Sequence, residues 1–346
     1  MTPHMTYPEA MIVGLIQGVT ELFPVSSLGH NVLLPAIIGG SWANDLNVSR
    51  AESPYLAFIV GLHVATAIAL LIYFWKDWVR IFRGFFSSIR DRDVTTVDQK
   101  LAWMIILATI PVGVVGLFAE HEFRVIFAKP VRAAVFLIIN GIILYAGERF
   151  RTRKSRQADA QQAQERELVG AAAGPGSPAA PDPGSTTLKP SAAHAAAHAS
   201  GHRAVRQQEI AAGAESDQRL VAMGYLQGTI IGAAQVLALL AGISRDGVTM
   251  VTGMFRGLSR EDAARFAFLL ATPVILAAGA LKVGDLIHYG HGIYGQILAG
   301  SILSGIGAYV SVRFLVRYFQ TRSLTPFAIY CVLAGVACVI YLGFVK

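Results

Sequence analysis

The chain has 346 residues with a formal net charge of +7, and only 15% of its residues are charged while 54% are hydrophobic. A soluble domain usually carries about 25% charged residues, so this composition excludes an ordinary soluble protein and predicts a polytopic integral membrane protein. The Lys and Arg residues lie at the ends of apolar runs and in a central tract, which is typical of positive-inside loops and does not indicate nucleic-acid binding.

The first apolar stretch, residues 8–39, is interrupted between Gln17 and His30 by a carboxylate, two hydroxyls and an imidazole. Pro24 lacks a backbone N–H and restricts Phe23, so a helix should stop near Phe23. Neither apolar arm reaches the roughly 20 residues that cross a bilayer. We therefore predict a re-entrant helix pair whose polar tip lies inside the membrane, where broken backbone is tolerated beside a wet cavity or a ligand.

Three uninterrupted apolar segments follow, and we predict spanning helices at residues 54–75, 101–119 and 131–147. Residues 149–218 differ: several Arg and Lys are followed by a tract rich in Ala, Gly, Pro, Ser and His. This composition predicts a disordered or weakly helical cytoplasmic linker after the first membrane unit, residues 1–148. His194, His198 and His202 recur at helical spacing, but such a tract offers no rigid scaffold, so no metal site is predicted there.

The second membrane unit, residues 219–346, also begins with an interrupted apolar segment, residues 219–255, which contains Arg245. Three further spanning helices are predicted at residues 266–283, 293–312 and 325–344. The basic loops place the start of the first half outside and that of the second half inside. We therefore predict an all-α polytopic membrane protein with an inverted-topology repeat, each half a re-entrant helix pair plus three transmembrane helices. Such a repeat should bring Glu21 and His30 near Arg245.

Arg245 lies in an apolar segment, where an arginine needs a carboxylate or an anionic ligand as its partner. Its planar fork suits phosphate oxygens, and a helix beginning after Gly247 would add its positive end. Small residues around it would let backbone N–H groups approach the same anion: Gly242, Ser244, Gly247 and Thr249. The alternative is a structural salt bridge to Asp246, Glu21 or Glu148, and the Gly/Ser setting favours anion binding.

The first interrupted segment has one carboxylate, Glu21, and Gln17 lies one helical turn earlier on the same face. The pair could hold a hard divalent cation, Glu21 could act as an acid or base, or the two could form a structural polar pair. Ser27 would become a nucleophile if His30 accepted its proton. The competing interpretation is that Ser26 or Ser27 is a helix N-cap.

Four residues inside the predicted helices receive structural interpretations. His63 and Asn140 lie in the middle of helices, where polar groups commonly bridge neighbours or support a site indirectly. Cys331 and Cys338 are separated by a helical distance of about 10 Å, too long for a disulfide.

The residues Gln17–His30 resemble the first signature of the undecaprenyl-diphosphate phosphatases, the bacitracin-resistance family: Glu or Gln, three residues, Glu, then Pro-Val-Ser-Ser-x-Gly-His. Residues Gly242–Thr249 resemble the second signature, Pro-Gly-x-Ser-Arg-Ser-x-x-Thr. Ala241 stands in place of its Pro and Asp246 in place of its second Ser. The similarity covers nearly the whole chain outside the linker. Asp246 places a negative charge beside Arg245, which should weaken anion binding unless Asp246 faces away or binds a metal.

The resemblance implies a hydrolase of the bacterial cytoplasmic membrane that removes the terminal phosphate of undecaprenyl diphosphate and recycles this lipid carrier for peptidoglycan synthesis. It implies a site that opens to the outer face and needs Mg²⁺ or Ca²⁺. It also implies bacitracin resistance, because bacitracin competes for the same isoprenoid lipid diphosphate among the membrane lipids.

The residues, read together with this resemblance, suggest the following roles. Those that would bind the phosphates are Ser26, Gly242, Ser244, Arg245, Gly247 and Thr249. Glu21, with Gln17, would hold the metal. Ser27 would be the nucleophile with His30 as its base, or His30 or Glu21 would activate water directly. A lipid-phosphate transporter or flippase of the same fold is the alternative, and it needs no nucleophile–base pair.

Overall fold

The computed structural model describes five stretches of the chain, residues 5–46, 54–127, 129–172, 212–289 and 292–345. Within these stretches the ordered elements are helices, and no strand is present. In chain order they are α1 Tyr7–Leu22, α2 Ser27–Ile38, α3 Gly40–Asp45, α4 Pro54–Tyr73, α5 Trp75–Asp91, α6 Val97–Phe127, α7 Pro130–Ala172, α8 Ala212–Ala222, α9 Tyr225–Ala233, α10 Arg245–Phe255, α11 Arg260–Leu281, α12 Val283–Tyr289, α13 Tyr294–Thr321 and α14 Thr325–Ile340. A 3₁₀ helix, Ala234–Leu239, follows α9, and a π-helix, Tyr341–Val345, continues α14.

The described part of the chain contains five helices that are long and apolar enough to cross a membrane. They lie in α6, α7, α11, α13 and α14. Two bent pairs pass the same test when each is counted as one span: α4 with α5, bent by 85°, and α8 with α9 and its 3₁₀ extension, bent by 97°. The predicted all-α polytopic membrane fold is therefore confirmed, whereas the inverted relation of the two halves stays a prediction.

Both ends of the predicted linker are helical in the structure. The helix α7 continues to Ala172 and α8 begins at Ala212, so part of the tract assigned to a disordered or weakly helical linker is regular helix. The reason is that residues 149–172 are rich in Arg, Gln, Ala and Glu, which are strong helix formers although they are not apolar. Contacts within the chain separate residues Arg149–Ser216 from a larger unit formed by Met1–Glu148 and Asp217–Lys346. His194, His198 and His202 lie outside the described residues.

The helix α5 has the amphipathic pattern expected of a helix at the membrane surface. Trp75, predicted to end the preceding span, instead begins α5 after the 85° bend. Trp78 and Ile81 face the protein core, while Phe82 and Phe86 are exposed. Aromatic and basic residues on one helix are suited to the interface between headgroups and acyl chains.

Close helix packing fixes the position of α1. Gly14 lies against Gly300 of α13 and Gly18 lies against Ser304, and a Cβ at either glycine would collide with the α13 backbone. In the same way Gly232 of α9 lies against the backbone of α6. Small residues permit such approach between membrane helices. These contacts hold α1 against α13 and α9 against α6, and thereby position the helices that lead into the two interruptions.

Candidate active site at two helix tips

The first tip is the turn between α1 and α2. The helix α1 ends at Leu22, with Phe23 extended at φ −67° and ψ 141°, and the stop predicted from Pro24 is confirmed. Ser26 is the N-cap of α2, and its Oγ accepts the Gly29 N–H at 3.2 Å. Its φ of 67° is uncommon for a residue with a side chain. Such backbone strain persists where surrounding contacts impose it, which is frequent at functional sites.

The second tip lies between the 3₁₀ helix and α10. Gly242 adopts a φ of 112°, which favours glycine. Ser244 is the N-cap of α10, and its Oγ accepts the Gly247 N–H at 3.1 Å. The helix therefore begins at Arg245, earlier than the expected start after Gly247, because the Ser244 side chain satisfies the Gly247 N–H as a cap does.

The two tips contact each other directly. The Gly242 N–H donates to Ser26 Oγ at 3.2 Å. Asn140 of α7 joins both tips: its Nδ2 donates to the Pro24 carbonyl at 2.9 Å, and its Oδ1 accepts the Ser244 N–H at 2.9 Å. The N-termini of α2 and α10 therefore meet. The first N–H groups of a helix have no acceptor within it and form its positive end, so two meeting N-termini are suited to an anion.

Replacing Asn140 with alanine is expected to destabilise the protein by about 2–4 kcal/mol, because it leaves the Ser244 N–H without its partner and leaves the buried Pro24 carbonyl with only a contact from Cys331 Sγ at 3.9 Å. Thermal unfolding in detergent measures this. The matched control is Thr272→Val, since Thr272 is equally buried but donates only to Phe268 of its own helix. Equal unfolding temperatures for the Asn140→Ala and Thr272→Val proteins would contradict a joining role for Asn140.

A charged cluster lies at the junction of the tips. Arg245 Nη2 donates to Glu21 Oε1 at 2.9 Å, and its Nε lies 3.4 Å from Asp246 Oδ1. Glu21 Oε2 accepts from the Ser27 hydroxyl and, at 2.8 Å, from Gln17 Nε2. All five side chains are buried or nearly so. The structure thus brings Glu21 into direct contact with both Ser27 and Arg245, although Glu21 and Arg245 are 224 residues apart in the sequence.

His30 lies beside this cluster but has other partners. Its Nδ1 is 2.7 Å from the carbonyl oxygen of Ser26, and its Nε2 is 2.8 Å from the hydroxyl of Tyr330. Because a carbonyl can only accept, Nδ1 carries the proton. The expected Ser27–His30 hydrogen bond is not made, and Ser27 donates to Glu21 instead. Tyr330 had no signal in the sequence, since it lies in an ordinary apolar run of the last helix.

His63 and Asn31 also contact the cluster. His63 Nε2 lies 3.4 Å from Glu21 Oε2 and 3.2 Å from Gln17 Nε2. Its Nδ1 donates to the Ile59 carbonyl at 2.8 Å. Asn31 Nδ2 donates to Gln17 Oε1 at 2.5 Å. The sequence marked His63 only as a structural or supporting residue, and Asn31 was missed. A lone polar residue within an apolar run was the available signal for both.

Most of the residues expected to bind phosphate have partners inside the protein. The hydroxyls of Ser26 and Ser244 serve as helix caps, which is the interpretation that competed with a catalytic or binding role for Ser26. The Thr249 hydroxyl donates to the Arg245 carbonyl at 2.7 Å. The groups suited to an anion are therefore the Arg245 guanidinium and the first N–H groups of α2 and α10.

The next feature is the set of side-chain oxygens that could hold the expected divalent cation. Within the described residues, no group of three His, Cys, Asp or Glu side chains is placed to hold a metal ion. Gln17 uses its amide oxygen for Asn31 and its nitrogen for Glu21. The buried Oδ2 of Asp246 has no hydrogen-bond partner. Carboxylate oxygens suit Mg²⁺ and Ca²⁺, so Glu21 and Asp246 would hold such a cation, with substrate oxygens and water completing its coordination.

A buried guanidinium at two helix N-termini is suited to an anionic headgroup, and the adjacent hydroxyl–carboxylate pair is suited to chemistry on it. In a polytopic membrane fold, this arrangement defines an integral-membrane hydrolase of lipid phosphates. The chain belongs to the BacA family, described as bacitracin resistance protein BacA, whose family model matches residues 10–176 and 193–337.

Several curated proteins are similar to this chain over nearly their whole length. It is 54% identical over 344 residues, 99% of each chain, to an undecaprenyl-diphosphatase of Mycolicibacterium paratuberculosis. It is 51% identical to undecaprenyl-diphosphatase 2 of Frankia alni, covering 97% of this chain and 98% of the relative. Undecaprenyl-diphosphatase 2 of Burkholderia lata is 36% identical, covering 95% of this chain and 94% of the relative.

Proposed function

We propose that this chain is an undecaprenyl-diphosphate phosphatase, which converts undecaprenyl diphosphate to undecaprenyl phosphate and inorganic phosphate. The observation that carries the proposal is the contact of Glu21 with both Ser27 and Arg245 at the meeting of the two tips. The names of relatives at 50–54% identity over nearly the full length support the same reaction. The reaction recycles the lipid carrier for peptidoglycan synthesis.

The proposed setting follows from the substrate. We place the multi-pass chain in the bacterial cytoplasmic membrane, with the site opening to the outer face where the lipid diphosphate is released. Bacitracin competes for this same lipid, so more of the enzyme would confer resistance. The apolar tail stays among the membrane lipids while the headgroup enters between the tips.

Headgroup binding relies on the groups that the tips leave for an anion. Arg245 presents a planar fork that binds phosphate oxygens in pairs. The first N–H groups of α2 and α10 add two positive helix ends. Because Arg245 donates to Glu21 and Asp246, it exchanges part of this pairing for phosphate oxygens when the headgroup binds.

The contacts support a two-step phosphoryl transfer. The Ser27 oxygen attacks the terminal phosphorus while its proton passes to Glu21, and the bond to the bridging oxygen breaks to release the lipid monophosphate. Glu21 gives this proton to the departing lipid monophosphate and becomes a carboxylate again. Water then attacks the phosphoserine and passes a proton to Glu21, the bond between phosphorus and the Ser27 oxygen breaks to release inorganic phosphate, and Glu21 returns the proton to the Ser27 oxygen. A divalent cation would neutralise charge on the transferred group. In the alternative, water attacks directly and Glu21 or His30 accepts its proton.

Phosphate release from purified protein in detergent tests the proposal, with undecaprenyl diphosphate as substrate and undecaprenyl monophosphate as the matched control. The wild-type protein is expected to release phosphate from undecaprenyl diphosphate and not from undecaprenyl monophosphate. Glu21→Ala is expected to lose about 10²-fold or more in kcat, which added Mg²⁺ does not restore, because it removes the acceptor of the Ser27 proton.

A result without phosphate release would contradict the proposal. If the wild-type protein instead moved lipid phosphates across vesicle membranes in a tail-dependent manner, the flippase alternative would be supported. Broken helices at membrane depth are shared by both classes, so the hydroxyl–carboxylate contact of Ser27 with Glu21 is the feature that favours hydrolysis.

A further inference from the structure

Asp246 adds a second carboxylate to the site at a position where the family signature has serine. Its side chain is 1% exposed. Oδ1 faces the Arg245 Nε at 3.4 Å, and the buried Oδ2 has no hydrogen-bond partner. A buried carboxylate oxygen without a partner is unfavourable, so its presence at a functional site calls for a ligand.

The charge balance of the cluster indicates which ligand. Arg245 is shared by two carboxylates, Glu21 and Asp246. When both carboxyl groups are ionised and the histidines are neutral, these three groups carry one net negative charge. A diphosphate headgroup brings further negative charge into the same buried place, where unpaired charge is strongly unfavourable. The headgroup therefore needs a cation to accompany it, and hard carboxylate oxygens select a divalent one.

We propose that Arg245, which pairs with Glu21 and Asp246, holds the place between them that a divalent cation takes when the diphosphate headgroup draws the guanidinium to its phosphates. Asp246 is then a cation-binding residue particular to chains with this substitution. The inference rests on the proposed function for the identity of the headgroup.

Two binding consequences follow from this exchange. The cation and the headgroup favour each other, and by linkage each raises the affinity of the other by the same factor. Removal of the Asp246 charge has opposite effects on the two ligands. It weakens cation binding because a carboxylate ligand is lost, and it strengthens binding of the cation-free headgroup because a repelling charge is lost.

The test uses Mn²⁺ and methylenediphosphonate, a diphosphate analogue that resists hydrolysis, with the full chain in detergent. Bound Mn²⁺ is measured by electron paramagnetic resonance, and analogue binding is measured by calorimetry with and without Mn²⁺. For the Asp246→Asn protein we expect Mn²⁺ affinity to fall by about 10–100-fold. The affinity for the cation-free analogue is expected to rise. The Asp246→Ser protein should behave in the same way.

The matched control is Asp98→Asn, which removes the same charge from a carboxylate that pairs with Arg80 in a separate cluster. It should leave both affinities unchanged. Loss of folding would lower both affinities. A fall in Mn²⁺ affinity together with a rise in affinity for the cation-free analogue therefore cannot result from loss of folding. Mn²⁺ affinity that is equal in the wild-type and Asp246→Asn proteins, or cation-free analogue binding that falls, would overturn the inference.

The phosphate-release assay on the same preparations keeps the two proposals apart. Coupled binding of Mn²⁺ and the analogue without phosphate release would reject the proposed function and leave the exchange at Arg245 in place. If the protein releases phosphate but Mn²⁺ and the analogue do not affect each other's binding through Asp246, the exchange of Arg245 for a cation is rejected and the proposed function stands.

Discussion

Replacing Ser27 with alanine is expected to lower kcat on the order of 10⁴-fold, with a much smaller change in KM. The reason is that the Ser27 hydroxyl donates to Glu21, so a nucleophile at the N-terminus of α2 lies beside a proton acceptor. The headgroup still binds to Arg245, so the loss falls on the chemical step. Steady-state phosphate release over a range of substrate concentrations separates kcat from KM.

Ser26→Ala is the matched control for this prediction. It removes the neighbouring hydroxyl, whose contacts are the N–H groups of Gly29 and Gly242. Loss of such a cap destabilises a helix by about 0.5–2 kcal/mol, so stability should fall while most of kcat is kept.

An acid-quenched reaction with labelled terminal phosphate distinguishes the two routes to hydrolysis. The two-step route leaves label on Ser27 in the wild-type protein and none in the Ser27→Ala protein. If Ser27→Ala kept kcat within about tenfold of wild type, the nucleophile would be water. In that case Glu21→Ala and His30→Ala would show which residue accepts its proton.

The second large effect is expected for Arg245→Ala, which should lower kcat/KM on the order of 10³-fold. The variant removes the guanidinium that holds phosphate oxygens and leaves Glu21 and Asp246 to repel the headgroup. Arg245→Lys keeps the charge but loses the planar fork, so an intermediate loss is expected. Rates of phosphate release at low substrate concentration report kcat/KM directly.

Folding must be separated from binding in this experiment, since breaking a buried ion pair costs about 3–5 kcal/mol in stability. Arg260→Ala provides the control, because Arg260 is also largely buried and pairs with Glu148, away from the tips. It should lower the unfolding temperature while the folded protein keeps its kcat/KM. Near-normal kcat/KM in the Arg245→Ala protein would contradict the role of Arg245 in headgroup binding.

Much of the architecture followed from local patterns. Low charge and long apolar runs are direct consequences of the bilayer as solvent, so the polytopic helical fold could be predicted from composition and hydropathy. The break at Pro24 was predictable because proline restricts its own backbone and that of the preceding residue. The sequence left residues 149–218 as a disordered or weakly helical linker, and the structure continues α7 as helix to Ala172, in keeping with the strong helix formers of that stretch.

The site was predictable as a set of residues but not as a set of contacts. The sequence indicated that Glu21 and Arg245 should lie close together, and Arg245 Nη2 lies 2.9 Å from Glu21 Oε1. It paired Ser27 with His30 from their helical spacing, whereas Ser27 donates to Glu21 and His30 to the Ser26 carbonyl. Spacing along one helix describes neighbours within a turn, whereas contacts with other helices, Ser27 with Glu21 of α1 and His30 with Tyr330 of α14, decide the partners.

The sequence by itself determined the helical membrane fold, the two interruptions and the residue types suited to an anionic headgroup, because each depends on interactions among residues close along the chain. Only the tertiary structure decided that Tyr330 faces His30, that His63 faces Glu21 and that one oxygen of Asp246 is buried without a partner. The two histidine contacts join helices that are separated in sequence, and the Asp246 oxygen is enclosed by the packing around it. Packing in three dimensions therefore selects which side chains meet and which remain without a partner.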